Sequence, residues 1–463
     1  MQKWSRKIKV QVVLALATLT ILAILHVGNH VVTPPMSLLM NTNTTINANV
    51  SKISVCPASK PPIKSVVFLK THKTGSESVS GILRKYAIIH IRGINEQVRT
   101  FDFQIGSKML IPALKMSLHS SLKQTVAIFI IVGTWRLILS TKKNFRAFNS
   151  NPYAYNSDAR YQPVNPTIPI AGYGEPGAHY EMIATHMTWN ASFVESVIPK
   201  TSDRLTFTIL RSPTTQLESS WKFFYPWFND RGKVWPKESG DTNQVRQLID
   251  LLKNPDRFFE QAMLLKEIDR THILRSQLHD FGFGADIYKR SIDKATIDRW
   301  IAQIEQDFDL VMITEYFDYS LALLALELCW PLEELAYLRS NEGHHVNVTK
   351  PSNLEELIRN FNYPEYQLYE HFNATLWRKI DAIGLDRVNA ISNEIIQLSN
   401  QLETKCVAGY RQIRLGNNKM AKEAIPRNDS TECLASVLWG KRQTKMLMKR
   451  QRELIKRENW LKT

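Results

Sequence analysis

The chain has 463 residues, 44% of them apolar, with 18 Gly, 20 Pro and 22% charged residues, which excludes a collagen-like, low-complexity or wholly disordered polymer and leaves ample material for a buried core. By length it holds either one large domain with an appendage or two domains. Lys and Arg number 59 against 43 Asp and Glu, a net charge of +16; such an excess suits an anionic partner, whether nucleic acid, a membrane surface or phosphate- and sulfate-bearing ligands, without choosing among them.

Lys3, Arg6, Lys7 and Lys9 precede an apolar run from Val10 to Val27 broken only by Gln11, Thr18, Thr20 and His26. About 20 apolar residues cross a bilayer, and the run ends Leu25-His26-Val27-Gly28-Asn29 rather than in the small-residue site of a cleaved signal peptide. The expectation is a cytosolic tail over 1–9, an uncleaved signal-anchor helix over 10–28 and a lumenal body beyond it. Two features agree with a lumenal body. The N-x-[ST] sequons at Asn43, Asn49, Asn190, Asn347, Asn373 and Asn428 all follow the apolar run, as do the four cysteines, Cys56, Cys329, Cys406 and Cys433, an even number that allows two disulfides in any of three pairings. No C-x-x-C or Cys/His cluster suggests zinc, and no metal is expected.

Residues 29–63, with Pro34-Pro35, an Asn/Thr-rich run and Pro61-Pro62, read as a flexible stem, with order beginning near Lys64. Val66–Leu69 is an apolar run followed by polar and Gly residues and then by Val79, Ile82 and Leu83 at helical spacing, which predicts strand, loop, helix. Leu205–Leu210 reads as a second buried strand, before Ser212 as a helix cap and Pro213 at the first helical position. Asp309–Thr314 reads as a third, followed by an apolar helix over Tyr319–Cys329. Strands alternating with helices predict an α/β fold, a parallel sheet flanked by helices.

The last third reads as helical, with amphipathic stretches at Leu354–Asn360, Leu376–Ile383 and Val388–Leu402. Residues 436–463 read as a basic helix that either faces water or lies on anionic lipid. Residues 87–149 fit poorly: Thr125–Leu139 is too short for a second span and carries Arg136, so it reads as a buried strand or helix inside a loosely packed insertion that supplies no catalytic residue.

Between the first strand and its helix lies Leu69-Lys70-Thr71-His72-Lys73-Thr74-Gly75-Ser76. Lysines, hydroxyls and one Gly at a helix N-terminus make an anion site, although this is not a Walker A loop, whose Lys directly follows its second Gly. Together with Phe68 the segment resembles the 5′-phosphosulfate loop of Golgi sulfotransferases, and the phrase FLKTHKTGS is similar to the galactose-3-O-sulfotransferase family in particular. Thr208–Pro213 through Leu217–Ser220 resembles that family's 3′-phosphate motif, an Arg at a strand end with a Ser eight residues later, here Arg211 and Ser219. Ala184–Met187, Ile313–Asp318, Cys329-Trp330, His371–Thr375 and Trp377–Lys379 extend the resemblance over about 64–86 and 180–435. The chain departs from the family pattern at Thr185, at Ser212 and at Glu77, which adds a negative charge beside the anion site.

The resemblance implies a P-loop-like sulfotransferase fold over 64–435. It also implies 3′-phosphoadenosine-5′-phosphosulfate as sulfate donor and a galactose 3-hydroxyl, on a galactosylceramide-like glycolipid or a glycan, as acceptor. It further implies a single-pass type II protein of the Golgi membrane, and it admits a homodimer. Lys70 and the backbone of Thr71, His72, Lys73, Thr74, Gly75 and Ser76 are expected at the 5′-phosphate, with Arg211 and Ser219 at the 3′-phosphate. Lys73 is expected to meet charge on the leaving oxygen. His186 is implied as the base, with His72 as competitor. Trp189, Trp221, Tyr225, Trp227 and Trp235 are the aromatic candidates for the sugar face. Two other readings stay open: a glycosaminoglycan 2-O-sulfotransferase, and a catalytically silent lumenal glycan-binding protein. A lumenal address argues against nucleic acid.

Overall fold

Every residue of β1 (Ser65–Leu69) is buried, the pattern of a strand covered on both faces. The computed structural model describes residues 55–57, 59–90, 137–138, 181–230, 248–250, 252–264, 272–339, 351–414, 420–438, 440, 442–447 and 449. From β1 the chain turns through residues 70–75 into α1 (Ser76–His90). Two strands follow, β2 (Leu137–Ile138) and β3 (Met182–Thr185), and then α2 (Ala191–Val197), which Asn190 caps by accepting a 2.8 Å hydrogen bond from the Phe193 N–H. β4 (Arg204–Leu210), buried throughout, runs into α3 (Pro213–Asp230), where Pro213 takes the first helical position because its missing N–H costs nothing there. Next come α4 (Pro255–Leu264), the short α5 (Ser276–Asp280), α6 (Lys294–Asp307), β5 (Leu310–Ile313), α7 (Phe317–Leu328) and α8 (Leu332–Leu335).

The five strands are parallel and ordered β2-β3-β1-β4-β5, with β1 central. Val66 registers with Met182 on one side and Leu205 on the other, so the carboxyl ends of β1, β3, β4 and β5 open along one edge. In open parallel sheets that edge is where ligands bind. Val67 and Ile183 pack on α2 through Phe193, Val194 and Val197. Phe68 and Phe207 pack against each other with tilted rings, centroids 4.9 Å apart.

Two long helices follow, the first against β5 and the second against α7. α9 (Leu354–Ile383) bends at Asn362, whose φ of −118° and ψ of 34° are non-helical, two residues before Pro364; the proline has no N–H and its ring crowds the preceding turn. α10 (Leu385–Cys406) starts beyond Gly384, whose φ of 95° only glycine adopts without strain. An antiparallel hairpin, β6 (Val407–Arg414) with β7 (Met420–Pro426), follows, and then α11 (Thr431–Val437).

The structure pairs Cys56 with Cys329, and Cys406 with Cys433. The first bridge corrects the stem boundary. Beyond the disulfide, the Ile63 N–H donates to the Leu328 carbonyl at 2.9 Å, Trp330 Nε1 donates to the Ile63 carbonyl at 2.9 Å, and Arg387 donates to the Val55 carbonyl at 3.1 Å. Residues 55–63 therefore belong to the body, because its strongest anchors precede Lys64.

Three more expectations change. The helical last third contains the β6–β7 hairpin. The insertion begins later than residue 87, since α1 runs to His90 with Ala87 and Ile88 fully buried, and Leu137–Ile138 is an edge strand on β3. The basic segment is not purely a surface helix: Gln443 and Leu447 are buried, and Gln443 joins it to α1, accepting from Arg84 Nε at 2.7 Å and donating to the Gly81 carbonyl at 2.9 Å. The signal-anchor over 10–28, Asn43, Asn49 and Asn347 lie outside the described residues. No helix among the described residues is long and apolar enough to cross a membrane. Asn428 is exposed and accepts from the Ser430 N–H at 3.0 Å, whereas Asn373 sits half-buried within α9 with its amide oxygen buried.

Candidate active site

The β1–α1 loop holds itself together with its own hydroxyls. Thr71 Oγ1 donates to the Ile209 carbonyl of β4 at 2.5 Å and lies 2.7 Å from Thr74 Oγ1, while Ser76 Oγ donates to the Thr71 carbonyl at 2.5 Å. These side chains shape the loop, so what Thr71, Thr74 and Ser76 offer an anion is backbone N–H at the positive end of α1. Lys73 and Gly75 have φ of 61° and 73°. A Cβ on Gly75 would lie 3.4 Å from Thr314 Cγ2, and Thr314 Oγ1 donates to the Thr74 carbonyl at 2.5 Å, so the end of β5 clamps the turn closed.

Arg211, at the end of β4, donates from NH1 to the Lys73 carbonyl at 3.2 Å and from Nε to Thr215 Oγ1 at 2.9 Å. Burial lowers its pKa, with Glu315 and Glu218 opposing, and an Arg stays charged regardless. Thr215, Ser219 and Phe223 recur at four-residue spacing and share one face of α3. Lys73 Nζ lies 4.1 Å from the centroid of the Phe223 ring. One stripe of α3 thus meets the guanidinium at one end and the ammonium at the other, with the Ser219 hydroxyl on the turn between them.

Lys70 is more heavily committed. Its Nζ lies 2.7 Å from His186 Nε2 and 3.0 Å from Glu77 Oε2, and Glu77 also binds Arg84. Burial alone would raise the Glu77 carboxyl, but Arg84 and Lys70 hold it down to about 2. The departure at Glu77 therefore comes with two cationic partners.

His72, buried, stacks on half-buried His186 with ring centroids 4.2 Å apart, and His272 stands 5.1 Å from His72 on another side. Burial is the largest cause that depresses all three; Lys70 adds to it at His72 and His186, and neighbouring histidines at His186 and His272. Sequence reasoning missed Asp280. Its carboxylate, 2% exposed, accepts from the His72 N–H at 2.7 Å and lies 2.7 Å from His72 Nδ1. It also missed Gln216, which donates to the His72 carbonyl at 3.1 Å. The only signal was a His-Asp pair before the Gly282–Gly284 turn, and nothing local ties that pair to a loop 208 residues earlier. Of the aromatic candidates, Trp189 donates to Asp307 at 2.8 Å and packs on Phe308, and Trp221 is wholly buried against Phe258, so both are structural. Tyr225, Trp227 and Trp235 fall outside the described side chains. No group of three or more His, Cys, Asp or Glu among the described residues is placed to hold a metal ion.

The galactose-3-O-sulfotransferase profile matches residues 150–427, more than half of the chain. Galactosylceramide sulfotransferase of Homo sapiens is 31% identical over 237 residues, 50% of this chain and 52% of that protein. Galactose-3-O-sulfotransferase 2 of Mus musculus is 24% identical over 324 residues, 70% of this chain and 64% of that one. Galactose-3-O-sulfotransferase 4 of Homo sapiens is 24% identical over 451 residues, covering 81% and 80%. The chain spans about half the length of the galactosylceramide sulfotransferases that it matches, and no solved structure matches it. The profile match begins beyond the phosphate loop, yet the fold sets β1 between β3 and β4, both inside the matched segment, and brings Lys73 against Arg211. By the matched residues and by the site they complete, the chain belongs to the galactose-3-O-sulfotransferase family.

Proposed function

We propose that the protein transfers a sulfuryl group from 3′-phosphoadenosine-5′-phosphosulfate to the 3-hydroxyl of a terminal galactose on a glycolipid or glycan. The observation that carries this reading is the α3 stripe, which meets Arg211 at one end and Lys73 at the other beside a loop of helix-terminal N–H groups. Three cations, Lys70, Lys73 and Arg211, converge where two phosphates and a sulfate must be held, so the residues fit the donor.

When bound, the donor supplies the sulfuryl group and adenosine 3′,5′-bisphosphate leaves. The loop N–H groups hold the 5′-phosphate, and Arg211 with Ser219 holds the 3′-phosphate through charge-assisted bonds. The S–O bond to the acceptor forms as the bridging S–O bond breaks. Lys73 meets the charge that develops on the departing oxygen, a contribution of positioning and electrostatics. A histidine of the stacked pair, His72 or His186, takes the hydroxyl proton.

Two disulfides and an exposed sequon at Asn428 support an oxidising lumen, in keeping with a type II protein of the Golgi membrane. The decisive experiment incubates the full chain with labelled donor and a panel of β-galactosides that includes galactosylceramide, and maps the sulfated carbon. Transfer to C3 of galactose supports the reading; transfer only to uronic acid residues of glycosaminoglycans, or none, refutes it.

Glu77→Gln gives a mixed expectation. Removing a negative charge beside the anion site should tighten adenosine 3′,5′-bisphosphate by roughly 3–10-fold in calorimetry. Arg84 and Lys70 lose their partner in the same step, so Tm should fall by a few degrees.

A further inference from the structure

We infer that Asp280 is a positioning residue that holds His72 in the tautomer with its lone pair on Nε2, and so makes His72 rather than His186 the base; this rests on the sulfuryl-transfer reading above. The two histidines are not equivalent. At His186 the Nε2 atom lies 2.7 Å from Lys70 Nζ, whose pKa burial pulls below its ordinary value while Glu77, 3.0 Å away, opposes the fall. As an ammonium Lys70 can only donate, and it then engages the His186 Nε2 lone pair that a base would need.

His72 has the opposite arrangement. Asp280 Oδ1 lies 2.7 Å from Nδ1, and a carboxylate can only accept, which puts the proton on Nδ1 and the lone pair on Nε2. Oδ2 accepts from the backbone N–H of the same residue at 2.7 Å, so ring and main chain are fixed together. This is the order of nucleophile, base and orienting acid that recurs in hydroxyl activation. Asp280 is itself held: it ends α5, whose first N–H groups, those of Gln277 and Leu278, donate to Glu365 Oε1 at 2.7 and 3.1 Å. Glu365 lies just past the bend in α9, where the Asn362 side chain donates to its other oxygen at 2.6 Å. A buried carboxylate is costly, and anchoring a loop N–H needs only an acceptor, which an amide would supply. What the carboxylate adds is control of the imidazole.

In the transfer step the 3-hydroxyl proton passes to His72 Nε2 as the O–S bond forms, and the electron pair of the breaking S–O bond leaves on the 5′-phosphate oxygen. The resulting imidazolium is held by Asp280. The pair is faced by Lys70 and Lys73 of the loop, by His186 beyond β3, by His272 before α5 and by His279 on α5, with Glu365 at the far end of α5. Burial pushes Asp280 up to about 7, and burial with Lys70 and Lys73 holds His72 down to about 3. A proton acquired as pH falls through about 7 therefore sits on Asp280, which then donates to Nδ1 and moves the lone pair off Nε2. The rate should decline on that acid side.

Asp280→Asn tests this, because the amide oxygen can still accept from the His72 N–H while its NH2 donates to Nδ1 and imposes the wrong tautomer. The expected result is a kcat about 10²-fold lower, with calorimetric affinity for adenosine 3′,5′-bisphosphate within about threefold, and loss of the acid limb near neutrality. In a His72→Ala background the same substitution should cost nothing further, because it acts through a residue already removed. Nitrogen-15 NMR of labelled histidine should show His72 protonated at Nδ1 in the full-length protein and at Nε2 in the variant. Retained turnover, costs that multiply in the double variant, an unchanged tautomer, or bisphosphate affinity falling in step with kcat would each overturn the assignment. Wild-type protein that shows the Nδ1 signature yet sulfates no galactoside would sink the sulfotransferase reading and leave the Asp280–His72 pair standing.

Discussion

Lys73→Ala should lower kcat by roughly 10²–10³-fold, the cost of removing one preorganised charge from a developing oxyanion. Lys73 sits in the left-handed region with φ of 61°. Alanine keeps the same Cβ, so the backbone strain is unchanged and the loop should persist. The lost contact with Phe223 belongs to the ground state and is worth about 0.5–1 kcal/mol, too little to account for the expected fall. Single-turnover kinetics and bisphosphate calorimetry on one preparation separate the two effects. If the KM for the donor rises as much as kcat drops, Lys73 is a binding residue and its role in the departure step is lost. Arginine should not restore the rate, because a planar fork does not reproduce a compact ammonium.

Arg211→Ala should act on binding instead, weakening adenosine 3′,5′-bisphosphate by about 1.5–3 kcal/mol, or roughly 10–150-fold. The Arg211 backbone N–H donates to Gln277 Oε1 at 2.9 Å, and the Gln277 amide donates back to the Arg211 carbonyl at 3.0 Å; both contacts survive the substitution. The strand end should therefore keep its place while the guanidinium is removed from Thr215 and the Lys73 carbonyl. A folded variant with wild-type affinity would take Arg211 out of the donor site. Adenosine 5′-phosphate, which lacks the 3′-phosphate, should bind wild type and variant alike, and this places the lost energy on that phosphate.

What could be read from the chain and what could not divides along contact distance. β1 and β5 are legible as short apolar runs bounded by polar residues, the continuous signature of a strand buried on both faces, and β4 is legible from the alternation of Leu205, Phe207 and Ile209 with Thr206 and Thr208. Lys73, Arg211 and Ser219 stand out through the resemblance of two strand-to-helix junctions, Phe68–Ser76 and Thr208–Ser220, to motifs of the family, and such motifs are legible because strand end and helix start are neighbours in sequence. The β6–β7 hairpin escaped because Arg411, Lys422 and Glu423 interrupt it with charge, although Gly416-Asn417-Asn418 between its strands is a turn signal. The two-residue β2 is too short for any periodicity. Asp280 was invisible for a different reason: its meaning depends wholly on a loop 208 residues earlier in the chain, which only the folded structure brings against it.

The bridge from Cys56 to Cys329 joins residues 273 apart in sequence, and the loop it closes includes the phosphate loop, Arg211, Asp280 and the whole parallel sheet. A single proteolytic cut anywhere inside that span leaves both fragments covalently joined, so the nicked protein runs at full mass on a non-reducing gel and divides only when reduced. The N-terminal segment behaves differently. A protease acting before Cys56 frees the body from everything upstream, whereas one acting only a few residues later, among Pro61 and Pro62, leaves the two parts attached. For a chain tethered through residues 10–28, release into a secretory fluid would therefore be confined to cuts between the tether and Cys56, and a shed form should begin upstream of that cysteine.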